Sequence, residues 1–290
     1  MLATAGAFAF WGLVPLYWKL LADLPATELL SHRIAWSLPC LAVLLVAARS
    51  GGEPRDVLRS PRTGLILLGS TFLITANWLT FLWAVNTDRV LDASLGYYIN
   101  PLVSVFLGFV FLGERLRRRQ GLAVLLATAG VAVLTVGHGL PWISLVLGFS
   151  FGLYGLLRKV ADVPAMVGLF VEIALLTPLA VGHLVWLRAR GDGAFAAGDV
   201  GTSLLLAAAG PVTTIPLLLF AHGLRKLTLA TVGFLQYMTP TGHFILAVTV
   251  FDEPFDGAHL AAFACIWTAL AVYTLDLRQR LGRHHRPEDG

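Results

Sequence analysis

One carboxylate, Glu172, stands inside the apolar run Gly168-Leu169-Phe170-Val171-Glu172-Ile173, with no basic residue within a helical turn. An ionisable group in an apolar span is costly and marks function by default. The chemistry open to it is proton exchange or the binding of a cationic substrate. The competing reading is a structural pair with a basic residue distant in sequence.

A second set of polar residues is duplicated. At 100° per residue, Tyr97, Asn100, Pro101, Ser104 and Gly108 fall within a stripe about 100° wide. Gln236, Thr239, Pro240, His243 and Ala247, 139 residues later, form the same stripe. Each proline frees a backbone carbonyl, which lipid tolerates only against protein or a water-filled cavity. The stripes are expected to face a central cavity; helix–helix packing is the alternative. Asn77, Trp78 and Thr80 add amides and aromatics suited to an amphipathic organic ligand. Thr214 lies between Pro211 and Pro216 in a run expected to bend. Lys19, His32 and Arg33 are gate candidates, although Lys19 also suits headgroup snorkelling and Arg33 a pair with Glu28. His183 and His222 read as hydrogen-bonded core histidines. Gly148 and Gly152 have close-packing spacing.

Phosphate-binding loops, nucleophile–base pairs and metal clusters are not apparent, so neither an enzyme nor a cofactor is expected. Cys40 and Cys265 read as buried, inert thiols.

The elements that must position these residues follow from composition. Hydrophobic residues make up 57% of the 290 and charged residues 13%, about half the charge of a soluble domain. Ten apolar runs of spanning length occur: 3–21, 27–48, 63–86, 91–112, 119–138, 141–158, 165–187, 201–223, 228–250 and 257–277. The first lacks a basic leader, so a cleaved signal peptide is not expected. The net charge of +4 comes from residues scattered between runs, which argues against nucleic-acid binding. Of 21 Lys and Arg, four lie in 49–62, four in 115–119, two at 158–159, two at 225–226 and four in 278–286. Those sixteen fall on one side of the membrane, which the positive-inside rule assigns to the cytoplasm together with both termini.

The chain also repeats. Ala93-Ser94-Leu95-Gly96-Tyr97 matches Ala230-Thr231-Val232-Gly233-Phe234, Pro101 matches Pro240, and Glu114 matches Glu253. The expected units are 1–138 and 139–278, five spans each, followed by a polar, disordered tail from about residue 279. An odd span number inverts the second unit relative to the first, an architecture suited to alternating access. The fold class is therefore an all-α membrane protein of ten transmembrane helices in two inverted five-helix repeats.

The residues also resemble a known family. Phe10-Trp11-Gly12-Leu13-Val14-Pro15-Leu16-Tyr17-Trp18-Lys19, His32-Arg33-Ile34-Ala35-Trp36-Ser37 and Ser94-Leu95-Gly96-Tyr97-Tyr98-Ile99-Asn100-Pro101-Leu102 are similar to RarD-type proteins of the EamA group, in the drug/metabolite transporter superfamily. Val171-Glu172 looks like that family's acidic position. The resemblance implies a bacterial inner-membrane secondary transporter, commonly an exporter, whose family name is linked to chloramphenicol sensitivity. Met238-Thr239 and Thr241-Gly242-His243 are more polar than that pattern. The expected partners are a small-molecule substrate, protons and membrane lipids, and a homodimer stays open. A scaffold or receptor without flux is the alternative, with an intramembrane enzyme ranked behind it.

Overall fold

The computed structural model describes all residues except 48–56, 58, 114, 116, 197–198, 225–234 and 285–290. Leu112, Leu218, 221–224 and 277–284 are described as helical backbone only. Each apolar run becomes a helix: α1 (Leu2–Lys19), α2 (Ala26–Ala47), α3 (Pro61–Asn86), α4 (Val90–Leu112), α5 (Arg118–His138), α6 (Trp142–Ala161), α7 (Ala165–Arg190), α8 (Val200–Leu224), α9 (Met238–Thr249) and α10 (Gly257–His284). Helices are the elements that satisfy every backbone group within lipid without a partner strand. Among the described residues, eight of these helices are long and apolar enough to span. The chain is an all-α membrane protein.

Local sequence sets the helix ends. Ser60 accepts the Thr63 N–H, and Pro61 opens α3. Gly113, at φ 65°, closes α4 in the left-handed conformation that glycine adopts without strain. The structure corrects one boundary: α10 continues to His284, so 279–284 are helical and not a disordered tail.

Glycines set the closest helix crossings. A Cβ on Gly210 of α8 would stand 2.2 Å from the Trp36 carbonyl of α2. One on Gly242 of α9 would stand 2.8 Å from the Cα of Gly12 in α1. Gly148 and Gly152 seat Ile99 and Val103, as their spacing predicts. Cys40 and Cys265 are free, but half-buried rather than enclosed.

Helices α1 and α6 each cross to the other half of the chain: α1 packs on α8 and α9, and α6 on α3 and α4. Helix α2 packs on α7 and α8, α7 also meets α3, and α4–α9 and α5–α10 pair directly. Large apolar side chains such as Leu2, Phe72, Val136 and Leu179 point outward, as lipid requires.

Candidate functional site

Glu172 is fully buried in α7. It accepts the Ser70 hydroxyl of α3 at 2.6 Å and the Tyr154 hydroxyl of α6 at 3.1 Å. Arg158 Nη1 of α6 lies 3.8 Å away, which supplies the distant basic partner that the local sequence lacks. The other terminal nitrogen of Arg158 donates to the carbonyls of Val163, Pro164 and Ala165. The carboxylate is thus held by a hydroxyl, a phenol and a guanidinium from two neighbouring helices.

Ser150, Tyr154 and Arg158 recur every four residues and therefore share one face of α6. Asn77 of α3 donates to Ser150 Oγ and to the Leu147 carbonyl, both at 3.0 Å. Tyr97 of α4 donates to Asn77 Oδ1 at 3.4 Å. A polar column thus runs from Glu172 along α3 and α6 to Tyr97.

At its other end aromatic side chains gather around a candidate chamber. His243 of α9 stacks on Phe81 at 5.4 Å, meets Tyr97 edge-on at 5.6 Å, and pairs through Nε2 with the Trp11 carbonyl at 3.0 Å. Trp78 stacks on the Arg33 guanidinium at 4.1 Å, and Trp18 lies 5.8 Å from it. Asn100 Oδ1, His243 Nδ1 and Arg33 Nε are buried without a partner.

The structure thus brings Asn77, Trp78, Tyr97, His243 and Arg33 together. Thr239 instead ties α9 to α1 through the Phe8 carbonyl at 3.0 Å. Thr214 bonds back to Gly210 within α8. Thr80 and Gln236 are half-buried, and Pro240 is buried where its carbonyl accepts the Ser94 hydroxyl. Ser104 and Gly108 open on a separate cleft of about 220 Å³ between α4 and α6, alongside Gly152, Gly155 and Lys159. Glu114 and 230–234 of the repeat, and the His222 side chain, lie outside the described residues.

At the end of the bundle opposite the arginine-rich connectors, the contacts form a chain. Lys19 pairs with Asp88, and Asn86 donates to the Leu24 carbonyl at 2.7 Å. Glu253, in the α9–α10 connector, accepts the Val90 and Leu91 N–H groups at 2.7 Å each. Burial pushes its carboxyl above the usual range, against the pull of those two amides. Glu28 accepts the Ala194 N–H at 2.8 Å and faces His32 at 4.0 Å, so it is not the partner of Arg33. His138 and His259 each reach Asp256 at 2.8 Å, joining α5 to α10. No local spacing flags that trio, whose members are 118 or more residues apart or share one helix start.

The EamA-like transporter family matches residues 1–136. A RarD protein of Streptomyces exfoliatus is 46% identical over 93% of this chain and 86% of its own. An uncharacterised transporter of Pseudomonas aeruginosa is 48% identical over 97% and 95%. A second protein of that species, named chloramphenicol-sensitive protein RarD, is 31% identical over 94% and 92%. One solved protein structure, 22% identical, shares the fold at a TM-score of 0.59 across 97% of both chains. On the identity, the coverage and the matched first half, this chain belongs to the RarD group of the EamA-like transporter family.

Proposed function

We propose that the chain is a secondary transporter that exports a small amphipathic organic molecule by alternating access, with proton coupling through Glu172. The observation that carries this reading is the packing pattern. Matching each helix to the one five places later, the α1 contacts with α8 and α9 mirror those of α6 with α3 and α4. The α2–α8 contact mirrors α7–α3, while α2–α7, α4–α9 and α5–α10 map onto themselves. A two-fold axis in the membrane plane accounts for that pattern, and two inverted units, 1–138 and 139–278, can exchange conformations across the chamber.

The arginine-rich end takes the cytoplasmic side of the bacterial inner membrane, with both termini there. The linked connectors then close the chamber on the outer side, and Lys19 is part of that closure. The column from Glu172 to Tyr97 supports proton coupling, since it sets polar groups of α3 and α6 between the buried carboxylate and the chamber. Reconstitution in liposomes tests the reading. Counterflow of a labelled compound, drawn from a panel of amphipathic drugs including chloramphenicol and run at two pH values, is the expected result. Ligand binding with no flux at either pH makes the chain a receptor or scaffold and ends the proposal.

A further inference from the structure

Arg33 is a cation two turns inside α2 with no ion-pair partner among the described residues. The acidic groups nearest to this end are occupied. Glu28 holds the Ala194 N–H and faces His32, Asp88 holds Lys19, and Glu253 holds the start of α4. Arg33 Nε is buried and makes no hydrogen bond, while the residue as a whole keeps some exposed surface.

Stacking on Trp78 covers the flat face of the guanidinium. Its N–H donors lie in the plane and point outward from the edge, so stacking satisfies none of them. Tyr17 and Tyr97 stand within electrostatic range of the group. Their protons go elsewhere, to the Leu205 carbonyl and to Asn77 Oδ1. Buried donors are rarely left unmade, and a membrane-embedded charge rarer still.

We propose that Arg33 anchors the carboxylate of a singly charged organic acid carrying an aromatic or flat apolar body. This deepens the transporter reading and rests on it. A planar carboxylate fits the donor edge with two parallel hydrogen bonds. Arg33 is the one cation placed at the chamber by the described residues, which matches one negative charge and disfavours a phosphate dianion. Trp78, Tyr17 and Tyr97, each partly exposed, offer the flat apolar surfaces that the body of the ligand would meet.

The test uses the full-length protein in detergent, with phenylacetate and indole-3-acetate as probes and their amides and chloramphenicol as uncharged comparisons. The acids are expected to raise the thermal midpoint and to bind at least tenfold more tightly than the amides. Arg33→Gln removes that preference; Arg33→Lys, which keeps the charge and loses the fork, retains part of it. Equal binding of acids and amides, undiminished acid binding by Arg33→Gln, or no binding of either acid overturns the inference. Counterflow of the same probes in liposomes separates the two claims. Acid binding without counterflow keeps the anion site and ends the transport reading. Counterflow of chloramphenicol or the amides that Arg33→Gln leaves unchanged, without acid preference, does the reverse.

Discussion

Glu172 and Ser70, 102 residues apart in the chain, meet at 2.6 Å between α7 and α3. The carboxylate therefore depends on a hydroxyl from the first half of the chain. Glu172→Gln keeps an acceptor for Ser70 and removes the titrating group. Flux in liposomes is expected to lose its pH dependence and to fall at least tenfold under an imposed proton gradient. A variant with full rate and unchanged pH response excludes Glu172 from coupling.

Gly168 leaves room for Arg158. A Cβ there would overlap the guanidinium, whose nearest nitrogen would stand 1.5 Å away. The side chain is flexible, so Gly168→Ala displaces Arg158 rather than unfolding the bundle. Gly168→Ala and Arg158→Gln are both expected to slow flux in liposomes, while the thermal midpoint of Gly168→Ala stays near that of the parent.

Gly210→Ala meets backbone instead, the Trp36 carbonyl. Neither helix can yield locally, and overpacking of this kind costs about 1–3 kcal/mol. Gly182→Ala, with nothing within 4 Å of its Cβ, is the control and leaves stability unchanged. Thermal unfolding of the two variants in one detergent decides the comparison.

Glu253→Gln leaves one acceptor for two amides. Hydrogen bonds to a charged group contribute about 1.5–3 kcal/mol each, so a loss of roughly that size is expected. Amide exchange at Val90 and Leu91 should quicken first.

Asp256 is held at about 2, first by the His259 N–H, then by the His259 ring and the charges of His138 and His259. Its ordinary value is 3.8. A depressed carboxyl contributes stability that is present above 3.8 and is lost as pH falls from 3.8 towards 2. Exchange of the Ala258 and His259 amides should accelerate in that window, and Asp256→Asn should flatten the response.

The sequence exposes most of the scaffold, because lipid makes spans nearly continuous apolar runs and charge asymmetry fixes connectors. The candidate site is half legible. Asn77, Tyr97 and His243 announce themselves as polar groups in apolar helices. Their assignment to one space needed tertiary contacts, and helical periodicity alone put Ser104 beside them when it opens on the α4–α6 cleft. Ser150, Tyr154 and Arg158 had a readable signal, their four-residue spacing, but Arg158 lies near a helix end where a cation is ordinary. Ser70 had one as well, two turns before Asn77 on the same face of α3. The partner of Glu172 sits 14 residues away across a connector, beyond any local rule.

The crossing of α1 and α9 at Gly12 and Gly242 brings two main chains together without interlocked side chains. Meshed knobs and holes would have to disengage before either helix could rotate. On the alternating-access reading, sliding at this crossing has only to exchange two hydrogen bonds, that of Thr239 with the Phe8 carbonyl and that of His243 with the Trp11 carbonyl.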